Sequence, residues 1–202
     1  MALRLLPFRQ YDEQDVVNLY ALESSLALAS TTGDGAGSNG VFVSVSTGNF
    51  NADTVTYGSS DYLGKTDYPF VGADMYPSND ALTIKAAANG TLPLGLTLNQ
   101  TAKADENGEK LLYNTTKKEE LQAVLPGQTV PIATKGIFTL GVNAINAGGT
   151  ALVVGQGFEV GDADGSIQGV ADAMSADSLG LVLATGSRAS SGGLTDQFAG
   201  NY

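Results

Sequence analysis

The stretch VLPGQTVPIATKGIFTL, residues 124–140, carries the strongest fold signal in the chain. It contains two β-prone apolar runs, residues 130–133 and 137–140, which meet at Lys135-Gly136. Pro126-Gly127 precedes them and supplies the φ values that a type II turn needs. Side chains of the second run alternate between two faces, as they do along a strand. The stretch therefore predicts the central strands of a small antiparallel β-barrel.

The rest of the chain repeats this pattern of short apolar runs separated by turn residues. Glycine accounts for 26 of the 202 residues, against a usual share of about 7%. Short strands at this spacing are typical of barrels and sandwiches. We therefore predict an all-β fold, a small antiparallel β-barrel or sandwich with an extended N-terminal arm. The other predicted strands are residues 41–45, 82–85, 92–98, 109–113, 121–125, 151–154, 157–160, 167–170 and 179–183.

Two turn sequences predict hairpins between neighbouring strands. They are Asp105-Glu106-Asn107-Gly108 and Asp162-Ala163-Asp164-Gly165. Asn-Gly and Asp-Gly tolerate the positive φ that such turns require. The second sequence also matches the opening of a calcium loop, but the later ligands of that loop are missing. A hairpin turn is therefore the favoured interpretation.

Composition divides the chain into three segments. Residues 1–40 are predicted to form an N-terminal arm and flexible loop, and residues 41–80 a strand plus a Tyr- and Pro-rich interface loop. Residues 81–202 are predicted to form the β-barrel body. Tyrosine offers a large contact area at a low entropy cost, which favours interfaces. The candidate interface residues are Leu5, Leu6, Phe8, Tyr11, Val16, Leu19, Tyr57, Tyr62, Tyr68 and Tyr76.

The N-terminal segment leaves two questions open. Residues 15–29 fit a helix capped by Asp15 and also fit a strand, because the same apolar residues satisfy both periods. The segment either folds back onto its own domain or reaches a neighbouring subunit as an arm. If it is an arm, a chain lacking residues 1–22 should still fold into a barrel.

Composition also excludes several classes of function. The chain has no cysteine and no histidine, so disulfides, thiolate metal sites and the commonest general base are absent. The formal charge of −11 disfavours nucleic acid and anionic membranes as partners. It suits either solubility at high copy number or attraction of a basic partner surface. We predict no catalytic residues, no metal and no cofactor.

The termini and the apolar runs bear on location. No apolar stretch of signal-peptide length precedes Pro7 and Arg9, and no run approaches the roughly 18 residues of a membrane span. The sequence therefore predicts a product that stays in the cytoplasm or is packaged into a particle assembled there.

One short sequence also occurs twice in the chain: Leu-Gly-Leu-Thr-Leu at residues 94–98 returns as Leu-Gly-Leu-Val-Leu at residues 179–183.

The order of these motifs resembles that of tailed-phage virion proteins, especially those of marine cyanophages. The opening LLPFRQYDE, residues 5–13, and VVNL, residues 16–19, are similar to the start of such proteins, as is YLGKT at residues 62–66 with Pro69. The body resembles the small β-barrel capsid decoration, or cement, proteins. The matching stretches are residues 124–140, residues 153–165 and residues 179–183.

This resemblance implies a structural role on the outer surface of the virion. The expected partners are the major capsid protein and further copies of the chain, often as a homotrimer, after assembly in the host cytoplasm. The alternative function is a head-fibre or adsorption module that recognises host glycans with Tyr57, Tyr62, Tyr68 and Tyr76. A hydrolase that uses carboxylates alone is the weakest of the three hypotheses.

Overall fold

The computed structural model of the chain describes residues 4–21, 29–30, 39–49, 80–102, 105, 107–125, 128–161, 164–170, 178–188 and 200–201. Within these residues the protein is built almost wholly from β-strands, with one α-helix, α1 (Thr115–Glu120). The predicted all-β fold class is therefore confirmed. In chain order the strands are β1 (Leu5–Gln10), β2 (Val16–Ala21), β3 (Ala29–Ser30), β4 (Phe42–Asn49), β5 (Asp80–Ala86), β6 (Gly95–Thr97), β7 (Gln100–Ala102), β8 (Ala123–Val124), β9 (Thr129–Ala133), β10 (Ile137–Leu140), β11 (Gly157–Val160), β12 (Ile167–Gly169), β13 (Gly180–Leu181), β14 (Ser187–Arg188) and β15 (Gly200–Asn201).

Five strands close into a small barrel in the order β2-β5-β4-β6-β9. The pairings are antiparallel except for β2 with β5, which is parallel. β2 completes the ring because it pairs with β9 over five residues, from Val16 opposite Ala133 to Tyr20 opposite Thr129. The barrel thus draws strands from all three segments that composition distinguishes.

The first strands also answer the question of how the N-terminal segment folds. The Asp12 side chain caps a single 3₁₀ turn, Glu13–Asp15, by accepting the Gln14 N–H at 2.9 Å. The chain then runs straight into β2, so residues 16–21 are a strand and the helical alternative does not apply to them. Since β1 and β2 both pair with body strands, the described part of this segment folds back onto its own domain.

The barrel interior is filled by alternating branched side chains. Val130 and Ile132 of β9 are fully buried, and Val43 of β4 and Ile84 of β5 lie in the same cluster. Leu19 of β2 joins them. Burying an aliphatic side chain of this size stabilises a fold by about 1.5–3 kcal/mol. β2, whose sequence fitted both a helix and a strand, therefore contributes a side chain to the core that holds the barrel closed.

The two runs of the 124–140 stretch are both strands, as predicted, but they belong to different sheets. β9 is a barrel strand, whereas β10 pairs with β1 in a separate two-stranded sheet. The chain changes direction between them at residues 134–136. Thr134 is held there by two hydrogen bonds to the Asp15 carbonyl, at 2.8 Å from its N–H and 2.9 Å from its hydroxyl. The Pro126-Gly127 turn lies outside the described residues.

The hairpin predicted at residues 162–165 joins β11 to β12, with Val160 opposite Ile167. Gly165 has a φ of +70°, which favours glycine, and an added Cβ would also meet the Phe42 carbonyl oxygen. Its N–H donates to the Ala87 carbonyl at 3.1 Å, and its own carbonyl accepts the Phe42 N–H at 3.1 Å. The hairpin is therefore bound to the barrel wall through its backbone.

Two predicted strands are wrong. Residues 109–113 form mostly turns before α1, and residues 151–154 form no strand. Asn114 begins the helix by accepting the Lys117 N–H on Oδ1 at 3.1 Å. A polar side chain that accepts a hydrogen bond from the first turn favours a helix here over a strand. The sequence does not predict so short a helix, because it lacks a periodic apolar face.

Candidate functional site

The predicted interface residues of the N-terminal segment separate into buried and exposed positions. Leu5 is buried beside Leu96 and Leu98, and Leu19 is buried inside the barrel. Both side chains are therefore consumed by the chain's own core. The predicted contact of these two leucines with a neighbour does not fit their burial. Leu19 lies on the barrel strand β2 and packs in the barrel core, and Leu5 lies on β1 and packs against Leu96 and Leu98.

The other predicted positions lie nearer the surface. Tyr11 and Val16 are partly buried against the Leu5 cluster, and the Tyr11 ring stacks on Phe138 with centroids 5.9 Å apart. Leu6 is also partly buried. Phe8 is 77% exposed, which leaves it available to a partner. The predicted tyrosines Tyr57, Tyr62, Tyr68 and Tyr76 lie outside the described residues.

Four exposed aliphatic side chains lie on two paired segments beside the β12-β11-β13 sheet. We call Val153, Val154, Leu181 and Leu183 the aliphatic patch; each is between 47% and 58% exposed. The two segments that carry them are hydrogen-bonded to each other. The Gly155 N–H donates to the Val182 carbonyl at 2.8 Å, and the Val182 N–H donates to the Gln156 carbonyl at 2.9 Å. The patch is therefore held on a paired backbone.

Alternation along β13 explains why these leucines face outward. Val182 is buried, so Leu181 and Leu183 on either side of it point to the opposite face. The residue opposite Leu181 on β11 is Gly157, which has no side chain to cover it. The sequence predicted a strand at residues 179–183. The alternation of leucine with Gly180 and Val182 does not show which face is exposed, because the same pattern at residues 94–98 buries Leu96.

A second candidate site is an open polar cleft of about 730 Å³. Its walls come from β1, β2, the loop before β7, α1 and the segments around β8 and the start of β9. Arg9 and Lys118 bring positive charge to it, and Glu119 brings one negative charge. Ala123 and Val124 are the apolar members of the lining, and both are buried. No motif in the sequence predicted this cleft, because its residues come from six separate parts of the chain.

An ion pair connects the start of β1 with the β11–β12 hairpin. Arg4 Nη2 lies 3.0 Å from Asp164 Oδ2, and Arg4 Nη1 donates to the Asp164 carbonyl at 3.2 Å. Asp164 Oδ1 accepts the Ser166 N–H at 2.9 Å. One carboxylate oxygen thus accepts a hydrogen bond within the turn, and the other pairs with Arg4.

These contacts also determine the protonation behaviour of Asp164. Partial burial of the carboxyl raises its pKa, but the hydrogen bonds from Ser166 and the charge and hydrogen bond of Arg4 outweigh burial. The pKa of Asp164 is therefore lowered from its ordinary value of 3.8. At neutral pH the group is ionised and acts as an acceptor in the turn.

Within the described ranges, no three His, Cys, Asp or Glu side chains are placed to share a metal ion. No helix among those residues has the length and apolar character to cross a membrane. Comparisons with descriptions of protein families, with curated proteins and with solved structures return no match for this chain.

Proposed function

We propose that the protein is a structural component of a phage virion, a capsid decoration protein that binds the outer surface of the head. In this role it stabilises the shell through contacts with the major capsid protein and with other copies of itself, as a homotrimer. The support from sequence is the ordered resemblance of residues 5–19, 124–140, 153–165 and 179–183 to such proteins. The support from the fold is a small closed barrel joined to a three-stranded sheet beside which exposed aliphatic side chains lie.

The aliphatic patch is the observation that carries this proposal. Contiguous exposed apolar side chains on a folded protein commonly mark a surface that a partner covers. Each patch residue is already about half buried, so covering the remainder would contribute on the order of 1 kcal/mol per side chain. Four such contributions can hold the chain on a partner surface, because a pre-ordered backbone loses little entropy on binding.

In this proposal the main capsid-binding surface lies beside the β12-β11-β13 sheet and not in the N-terminal segment. Leu5 and Leu19 are buried in the chain itself, whereas Leu181 and Leu183 are available. Phe8 is the one predicted N-terminal contact among the described residues whose side chain is mostly exposed, and it is a secondary contact in this proposal.

The test uses purified heads that lack the protein, incubated with wild-type chain or with the double variant Leu181→Ser, Leu183→Ser. We expect the variant to bind heads at least tenfold more weakly, because the patch loses most of its apolar area. The melting temperature should change little, since both side chains are exposed. Normal decoration by a folded double variant would contradict the proposal.

Leu92→Ser is the matched control. Leu92 is 87% exposed in the loop between β5 and β6, outside the patch. It loses a similar apolar area without touching the proposed surface, so head binding should be unchanged. Electron microscopy of the decorated particle provides an independent check: density for the barrel is expected on the exterior, and its absence there would overturn the role.

A further inference from the structure

The polar cleft is lined by two basic residues that form no ion pair with a described residue. Arg4, Lys117 and Lys135 each lie within 3.8 Å of a carboxylate oxygen. Arg9 and Lys118, both partly buried and both lining the cleft, form no ion pair with any described residue. The cleft lining holds these two basic side chains against the single carboxylate of Glu119. In a chain with 21 acidic and 10 basic residues, this local excess of positive charge favours a ligand that carries negative charge.

A backbone outlier lies in the same cleft. Gln122 directly follows Leu121, the C-cap residue of α1. Its φ is +50°, and no other described non-glycine residue has a positive φ. Glycine is the usual residue at this position, since a Cβ in the left-handed region is unfavourable. The backbone N–H of Gln122 donates to the Glu119 carbonyl at 3.0 Å, which any residue could do. Gln122 lines the cleft, and its side chain makes no hydrogen bond to a described residue. A strained residue of this kind points to a use for its side chain.

The remaining lining identifies the class of ligand. Asn99 and Gln128 add amide groups, and Tyr20 and Thr129 add hydroxyls. Gln128 Oε1 accepts the Leu125 N–H at 3.3 Å, and the Asn99 side chain makes no hydrogen bond to a described residue. Amides and hydroxyls can both donate and accept, which suits a ligand with several hydroxyl groups. The cleft offers no large apolar pocket of the kind that anchors peptide side chains.

We propose that this cleft binds an acidic saccharide. Its carboxylate lies against Arg9 and Lys118, where the planar guanidinium of Arg9 can donate two parallel hydrogen bonds. Its hydroxyls are bound by the amide groups of Asn99 and Gln122. This inference does not depend on the proposed capsid role, because it rests on the cleft alone.

The test measures binding of tetragalacturonate to the full-length protein by titration calorimetry, with the methyl ester of the same oligomer as the uncharged comparison. We expect the acid to bind and the ester to bind at least tenfold more weakly. Arg9→Gln and Lys118→Gln should each weaken binding of the acid about tenfold, in proteins whose melting temperatures confirm that they fold. Lys85→Gln removes the same charge from an exposed position on β5 outside the cleft and should leave binding unchanged.

Gln122→Gly separates binding from folding. The substitution relieves the backbone, so the melting temperature should stay the same or rise, while affinity for tetragalacturonate should fall at least threefold. Equal affinity for acid and ester, or no binding of either, would overturn the proposal. So would preferential binding of a hexaglutamate peptide, which would assign the cleft to an acidic protein segment, or unchanged affinity in both Arg9→Gln and Gln122→Gly.

Discussion

The two Leu-Gly-Leu stretches of this chain have nearly the same sequence and opposite surroundings. In residues 94–98, Leu96 is 1% exposed and lies in the core between the barrel and β1. In residues 179–183, Leu181 is 55% exposed, and it is Val182 that is buried. The same alternation therefore turns its leucines inward in one sheet and outward in the other.

The difference arises from what lies beside each strand. β6 has β4 on one edge and β9 on the other, and the Leu98 N–H continues the pairing by donating to the Pro131 carbonyl at 2.9 Å. Among the described residues β13 pairs with β11 alone. Pairing fixes the position of each strand, but burial depends on what packs on its face. Leu5 of β1 packs against Leu96, whereas Leu181 lies opposite Gly157 and stays 55% exposed.

The central glycines differ in the same way. A Cβ on Gly95 would collide with the Ala133 carbonyl oxygen, so the backbones of β6 and β9 approach closely there. A Cβ on Gly180 would instead meet the ring of Phe158. The first glycine permits contact between two backbones, and the second makes room for a side chain.

The largest predicted effect comes from removing the strand that closes the barrel. A chain lacking residues 1–22 loses β1 and β2, and with them Leu19 and the five-residue pairing with β9. We expect no cooperatively folded barrel, because the loss of a closing strand exceeds the roughly 5–15 kcal/mol by which a typical domain is stable. Far-ultraviolet circular dichroism and thermal melting would measure this.

The control for that truncation is a chain lacking residues 1–3 only, which keeps both strands and should melt cooperatively. A cooperative transition in the longer truncation would mean that β2 is dispensable. It would also restore the hypothesis that the N-terminal segment is an arm separate from the barrel.

Leucine truncation gives the next largest effect and tests the comparison directly. Leu96→Ala should lower the free energy of unfolding by about 2–5 kcal/mol, because it leaves a cavity in a packed core. Leu181→Ala, the equivalent change in the other copy, should alter it by no more than about 0.5 kcal/mol, because the side chain is largely in water. Chemical denaturation of the two variants supplies both numbers. Similar values would mean that Leu181 is covered in solution, as self-association through the aliphatic patch would require.

The smallest predicted effect concerns the ion pair that joins β1 to the β11–β12 hairpin. Because the pKa of Asp164 is lowered in the folded protein, its contribution to stability is present above its ordinary pKa of 3.8 and is lost as pH falls through the folded value. The carboxylate is half exposed, so the contribution should not exceed about 1 kcal/mol. Arg4→Gln should therefore lower the melting temperature at pH 7 but have less effect at pH 3.

Lys135→Gln is the control for that ion pair. Lys135 is 79% exposed and lies 3.8 Å from Asp15, so solvent screens the interaction. Its removal should change the melting temperature less than Arg4→Gln does at pH 7. An Arg4→Gln effect of the same size at both pH values would show that packing, rather than charge, holds the hairpin.

Much of this fold was predictable because its determinants are local. The alternation of residues 130–133 and 137–140, the strand at residues 82–85 and the Asp164-Gly165 turn all follow from a few neighbouring side chains. α1 was not predictable in the same way. Its one clear signal is a single capping residue, Asn114, which also suits a turn.

The candidate sites depended on tertiary structure. The all-β character of the described residues and the positions of most strands could be inferred from neighbouring residues alone, since a period of two is a local property. Pairing with distant parts of the chain makes β2 close the barrel, buries Leu96 while Leu181 stays exposed, and brings Arg9 and Gln122 to the same cleft. The physical reason is that burial depends on the partners a strand acquires from distant parts of the chain, and nothing local specifies those partners.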